Sequence, residues 1–480
     1  MNYEAVIGLE IHVQLNTKTK TFCGCSTSFG EEPNTHTCPV CLGLPGALPV
    51  LNREALHKAI LAGLALNCEV AEYSVFARKN YFYPDLPKAY QISQYEYPIN
   101  KGGYVVIKDA NGKEKRIGIT RAHLEEDAGK LIHDEDPKGP SYVDLNRCGT
   151  PLLEIVSEPD IRTPDEAYNF LHAIKEIMQY VGVSECNMEK GELRVDVNIS
   201  VRPYGQKEMG IKHEIKNMNS FANVKRALEY EMKRQVRVLR TGGTLKQETR
   251  LFDQSKNATV PMRTKEEAHD YRYFPDPDLV PVILKKEEIE EIRKELPELP
   301  MAKRKRFIEE YKLTEYDAVN ICSSKKLADY FENAVRNYKN PKKIANWILS
   351  EMMRVIKEGE IDIEDFIVKP EMLRELFEIM DSGLISGKIA KEVYDEMVKT
   401  GKRASAIVKE KGLKQVVDED EIGKVVEEVL KENADAVEDI KKGKKNAFGF
   451  LMGQIMKKTK GKANPKLANE ILNKRLFQSQ

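Results

Sequence analysis

The chain has 480 residues, 41% of them hydrophobic and 32% charged, with 76 basic and 76 acidic side chains in formal balance. At roughly 100–200 residues per domain this predicts a soluble globular protein of several domains, and neutrality excludes a bulk electrostatic signature of a nucleic-acid binder. No run reaches the ~18 continuous apolar residues of a membrane helix, and Met1-Asn2-Tyr3-Glu4 does not open a signal peptide, so the expectation is a cytoplasmic enzyme.

From Val6 to Leu15 the sequence alternates with period two. Ile7, Leu9, Ile11, Val13 and Leu15 share one face; Gly8, Glu10, His12 and Gln14 share the other. A strand so built buries one face and offers Glu10 and His12, ~7 Å apart along the chain, on the second. A solvated polar face is the plainer reading of this strand taken alone. Cys23-Gly24-Cys25 then precedes Cys38-Pro39-Val40-Cys41. Four thiolates close a tetrahedral structural zinc site, and clustered cysteines in a reducing compartment hold metal more often than disulfides. The alternative is four free or redox-active thiols. The remaining four of the eight cysteines, Cys68, Cys148, Cys186 and Cys322, are scattered and read as small core residues.

His123, Glu125 and Asp127 alternate in another extended run, and Glu154 sits inside the apolar stretch Leu152 to Val156. A carboxylate in such a setting is costly unless paired or metal-bound. From Arg194 to Arg202 a second clean alternation places Val195, Val197, Ile199 and Val201 on one face, with Arg194, Asp196, Asn198, Ser200 and Arg202 on the other. Oxygen-rich strand faces of this kind suit Mg²⁺, and flanking arginines suit phosphate.

The texture turns helical at Glu287, and apolar spacing of three and four follows, as in Ile344, Trp347, Ile348 and Met352. Between Lys441 and Arg475 there are eleven Lys or Arg and one acid, Glu470, an excess of +10 that the rest of the chain must offset. Phe448, Leu451, Ile455 and Met456 run at helical spacing beneath those lysines, so the charge belongs to a folded module. It is either a solvated surface or a contact for a phosphate backbone. The predicted class is therefore α+β: a β-rich N-terminal domain over 1–293, a helical domain over 294–404 and a basic helical tail domain over 405–480. There is no Walker A loop, no HExxH and no Rossmann fingerprint. Gly383 to Ile389 is a residue short of the phosphate loop and lacks its final Ser or Thr.

Longer motifs carry more. Arg78-Lys79-Asn80-Tyr81-Phe82-Tyr83-Pro84-Asp85-Leu86-Pro87-Lys88, the run Val143 to Asp160, Glu214 to Ser220, Asp270 to Pro275, Phe448 to Gln454 and Gly461 to Pro465 together resemble the B-subunit family of the aspartyl/glutamyl-tRNA amidotransferases along essentially the whole chain. Ala89 stands where that family usually has Gly, and Thr264 where Ser is common. The resemblance implies a cradle-shaped kinase domain, a helical domain and a tail that contacts tRNA. It implies ATP- and magnesium-dependent phosphorylation of the side-chain carboxylate of Glu-tRNA(Gln) or Asp-tRNA(Asn). Ammonia from glutamine, made on a separate amidase A subunit tied in by a small C subunit, then displaces the phosphate. On that reading Glu10, His12, Glu125 and Asp196 are the Mg²⁺ ligands, and Glu154 and Asn198 support them. Lys79, Lys190, Arg194 and Asn198 contact the nucleotide, while Cys23, Cys25, Cys38 and Cys41 hold Zn²⁺. Two competing readings remain: a non-catalytic tRNA-binding scaffold whose acids form ion pairs, and a zinc-ribbon nucleic-acid binder. The acidic Gly30-Glu31-Glu32-Pro33 beside the cysteines weighs against the second.

Overall fold

The alternation at the N-terminus becomes strand β1 (Tyr3–Gln14), and in the computed structural model its odd-numbered side chains, Ile7, Leu9, Ile11 and Val13, are almost completely buried. The structure describes residues 2–133, 139–262, 270–413, 419–441, 446–459, 463 and 465–477. Thr264, Gly461, Asn464 and the tail lysines Lys442, Lys444, Lys445, Lys460 and Lys462 lie outside the described residues, as do the side chains of Lys441 and Lys466.

β1 is the centre of a ten-stranded sheet. It pairs antiparallel with β2 (Pro151–Ser157) on one side and β3 (Leu193–Pro203) on the other. Beyond β2 lies β4 (Glu114–Glu126); beyond β3 come the strands His213–Lys216, Glu248–Asp253 and Ala258–Pro261. Among the described residues, the one parallel pairing in the sheet joins His213–Lys216 to Glu248–Asp253. The apolar face is covered by the helices Pro164–Tyr180 and Phe221–Arg240, which pack on each other. Phe170, Leu171, Ile174 and Met178 meet Ile7, Leu9, Val197 and Ile199 in one core. At ~1.5–3 kcal/mol for each large apolar side chain buried, this face fixes the register, and the register aims the opposite face.

A smaller three-stranded sheet joins Ala77–Asn80, Tyr90–Ser93 and Phe274–Pro275. Two motifs nearly two hundred residues apart thus meet, through Arg78 opposite Phe274. Ala89, just ahead of the middle of these segments, has φ +60°. That is left-handed backbone, where a Gly would carry no Cβ penalty.

The chain divides into two compact units, Met1–Ala302 and Lys303–Gln480. All strands among the described residues fall in the first, and the second is helical, so the α+β class holds. The second unit contains two separate cores. One runs from Phe307 to Val408 and includes Trp347, Ile348 and Met352; the other gathers Ile422, Leu451, Ile455 and Leu472. Lys458 pairs with Glu428 at 3.0 Å and Glu432 at 2.6 Å, and Arg475 pairs with Glu427 at 2.9 Å. Part of the tail's positive charge is thus answered within its own unit. Among the described residues no helix is long and apolar enough to cross a membrane.

Candidate active site and thiolate centre

Cross-strand partners point to the same face of a sheet. One rung of the polar face therefore reads Arg194, His12, Glu154 and His123, across β3, β1, β2 and β4 in turn. Glu125 sits two residues along β4 and returns to the same face. His12 Nε2 lies 3.4 Å from Glu154 and 3.9 Å from Glu125, and ligand atoms of all three fall within 4.8 Å of one another. His123 Nε2 stands 3.8 Å from both carboxylates, while its Nδ1 is buried without a hydrogen-bond partner. Ser93 Oγ donates to Glu125 at 3.2 Å.

Burial and then repulsion from Glu154 push the Glu125 carboxyl up to about 7. Burial works against ionisation of Glu154 as well, but His123 and the hydrogen bond from His12 outweigh it and hold that carboxyl low. Burial opposes the His12 imidazolium, and Glu154 and Glu125 overcome it, so the His12 pKa is raised. Burial outweighs the attraction of Glu154 at His123 and brings that imidazole down to about 4. A buried pair of carboxylates, one of them forced toward neutrality by its neighbour, fits the charge of a divalent cation.

The predicted ligands do not all gather there. Glu10 and Asp196 face each other one rung away. Asn198 Nδ2 donates to Glu10 at 3.0 Å, and Lys216 pairs with Asp196 at 2.5 Å. Lys79 is held among tyrosines, 4.9 Å from the Tyr271 ring and 5.8 Å from that of Tyr81. Burial disfavours its charge, yet Glu125, Tyr273 and Glu154 more than compensate and raise its pKa. Arg194 donates to the buried Asp127 at 2.7 Å and leaves Nε unpartnered. Asp127 also accepts from Gln14 at 2.7 Å and faces Arg147 at 3.6 Å. Arg194, Asp196, Arg147 and Gln14 line a cleft of about 1040 Å³ that reaches exposed Lys190, itself over the Phe29 ring at 5.9 Å. His123 and Asp127 were visible in the sequence as members of one alternating run. Their partners were not, because cross-strand register is invisible in a single strand. The tyrosine collar of Lys79 was likewise hidden by its separation in sequence.

The four thiols Cys23, Cys25, Cys38 and Cys41 also have ligand atoms within 4.8 Å of one another, with Cys38 and Cys41 sulfurs 3.9 Å apart. A tetrahedral site with Zn–S near 2.3 Å requires sulfur separations of about 3.8 Å, so the set fits a metal ion such as zinc. Cys23 donates to Cys41. Against the cost of burial, the Cys38 amide and Lys20 also favour the Cys41 thiolate, which falls to about 4. Burial pushes Cys25 up to about 11.

Residues 5–290 match the family model described as the GatB/GatE catalytic domain, and residues 329–476 match a second, the GatB domain. A protein from Persephonella marina is 59% identical over 478 residues, spanning 99% of this chain and 100% of that one. One from Thermoanaerobacter sp. is 58% identical over 476 residues, and one from Geotalea daltonii 56% over 478, with the same coverage. Each is named as the B subunit of an aspartyl/glutamyl-tRNA(Asn/Gln) amidotransferase. The chain belongs to that family. The family's catalytic-domain match spans both strand faces, the Lys79 segment and all four cysteines, and so contains the whole of the geometry above.

Proposed function

We propose that this chain is the ligase subunit that converts Glu-tRNA(Gln) or Asp-tRNA(Asn) to its amide, by first phosphorylating the side-chain carboxylate with ATP. The observation that carries this reading is the gathering of His12, Glu125 and Glu154 on one sheet face, with Lys79 electrostatically coupled to both carboxylates.

In the first step a carboxylate oxygen of the aminoacyl group attacks the γ-phosphorus, and the bridging oxygen leaves with ADP. In the second, ammonia adds to the acyl carbon and inorganic phosphate departs with one of the ammonia protons. Magnesium, held by His12, Glu125 and Glu154 with Glu10 and Asp196 nearby, would supply charge neutralisation at the transferring phosphoryl group. Lys79 is placed to take a phosphoryl or carboxylate oxygen as a fixed positive charge, and its tyrosine collar limits where it can point. Arg194, anchored by Asp127, lines the cleft, where a guanidinium suits a phosphate. Asn198 orients Glu10. Lys190 would contact phosphates from the cleft's far rim.

We assign a structural zinc to the four cysteines, and a cradle-like kinase domain to 1–293, followed by helical domains over 294–404 and 405–480. The tail's remaining lysines, Lys457 and Lys474 among them, would meet the tRNA backbone. The amidase A subunit would supply ammonia and the small C subunit would complete a heterotrimer. The experiment is ADP release by the assembled complex with Glu-tRNA and Mg²⁺. Release that depends on charged tRNA supports the kinase; amidation without ATP turnover leaves a scaffold.

A further inference from the structure

Lys20 is buried completely, at 0% exposure, just after β1. An ammonium has three N–H donors and is costly to bury unless each is met and the charge is balanced. Here Nζ donates to the His36 carbonyl at 2.7 Å and to the Leu145 carbonyl at 3.3 Å, and its third partner is Cys41 Sγ at 3.7 Å. No carboxylate among the described residues comes within ion-pair distance of Lys20. The anionic partner is the thiolate cluster. Four thiolates around a divalent ion carry two net negative charges, and one ammonium at a sulfur halves that excess.

The same ammonium touches a second segment. Leu145 belongs to the stretch 143–150, which is stitched to the cysteine loop at several points. Asn34 donates to Val143 O at 2.9 Å and accepts from Leu145 N at 2.8 Å, and Thr21 N donates to Gly149 O at 2.8 Å. Gly149 has φ +84°, and a Cβ there would sit 3.5 Å from Lys20 and 3.6 Å from Cys41, so this turn needs glycine's backbone freedom. Two residues back, Arg147 faces Asp127, the anchor of Arg194.

We propose that Lys20 is a positioning residue: it donates an N–H···S hydrogen bond to the Cys41 ligand of the metal centre and ties that centre to the segment carrying Arg147. The inference rests on the four-thiolate metal reading, and the test separates the two. Zinc is counted in purified wild-type protein, Lys20→Met and Lys20→Arg, and its release to a chromogenic chelator is timed. Outer-shell partners of metal ligands are typically worth 10–100-fold in affinity. Lys20→Met should therefore bind zinc but release it at least ~10-fold faster, and the thiolate-to-metal charge-transfer band of its cobalt form should shift. Lys20→Arg, which keeps charge and donors, should recover much of the difference. Wild-type release rate and an unmoved cobalt band in Lys20→Met overturn the proposal while leaving the metal centre intact; no metal in wild-type protein overturns the metal reading itself. Should Lys20→Met not fold, wild-type protein gives the decision. Removing its metal should speed amide exchange at Cys148, Gly149 and Thr150 while β1 amides keep their rates, and unchanged exchange at those three overturns the tie.

Discussion

Replacing Glu125 by Gln should cost activity and increase stability. The Glu125 carboxyl is buried and held up to about 7 against an ordinary 4.5, first by desolvation and then by Glu154. A group whose folded pKa is raised prefers to be protonated in the folded state. Its ionised form is therefore a burden that is absent below 4.5, grows as pH rises and is complete above about 7. At about 1.4 kcal/mol per pH unit of separation, the full burden is roughly 3 kcal/mol in the metal-free protein. Gln is nearly isosteric, stays neutral, and can still accept from Ser93 Oγ. In EDTA at pH 8, Glu125→Gln should raise the unfolding free energy of the N-terminal unit by up to about 3 kcal/mol, and the gain should vanish near pH 4.5. The readout is denaturant-dependent hydrogen exchange at β1 amides, which isolates that unit from the helical one. ATP-dependent amidation by the same variant should fall by orders of magnitude. Destabilisation at pH 8, or a gain that does not change with pH, would mean that Glu125 is held ionised by its neighbours and that the electrostatic reasoning is wrong.

Because bound metal needs Glu125 ionised and His12 neutral, Mn²⁺ affinity measured by EPR should rise with pH through about 7 and keep rising until the raised His12 imidazolium has also lost its proton; a flat profile would place the ion elsewhere. Elemental analysis should find about one zinc per chain, and chelation should destabilise the N-terminal unit because binding energy there is folding energy; fully stable metal-free protein argues against the centre. Ala89→Gly should stabilise modestly, by ~0.5–1 kcal/mol, since relief of the left-handed strain exceeds the added chain entropy; thermal unfolding checks the sign. Deleting 419–480, which leaves the core that ends at Val408 intact, should raise KM for charged tRNA and flatten its salt dependence by about 0.7–0.9 in log–log slope for each lost phosphate contact, while glutamine hydrolysis is spared; an unchanged slope moves the tRNA contact to the N-terminal unit.

The polar faces of β1 and β3 were legible because period-two alternation survives any tertiary context that buries one side. Glu154 was legible because its cost inside Leu152 to Val156 demands a partner. What the alternation could not supply was register. That His12 meets Glu154, and Glu154 meets His123, follows from hydrogen-bond ladders between strands that the sequence alone does not pair. Glu10 and Asp196 look equivalent to His12 and Glu125 in a strand diagram, yet they settle one rung away against Asn198 and Lys216. Lys20 gave no signal. A lysine after a strand is usually solvated, and only the folding of the cysteine loop over it makes it the counter-charge of a thiolate cluster.

Strand β1 serves stability on one side and chemistry on the other, and a slip of one residue would exchange the two. The pairing with β2 is regular from Glu10 opposite Val156 to Gln14 opposite Leu152, and β2 pairs regularly with β4 from Pro151 to Val156. The one irregularity between β2 and β4 falls at Val156/Ser157, just past the ligand rungs. A bulge bends a strand and changes which face a side chain takes, so its position matters. Inside the rungs it would separate Glu154 from His123; beyond them Ser157 Oγ accepts from the Leu9 amide at 2.9 Å. That bond secures β1 from its apolar half. The buried carboxylate pair is tolerable because the energy that holds it together is paid on the opposite face, by side chains that never touch the site.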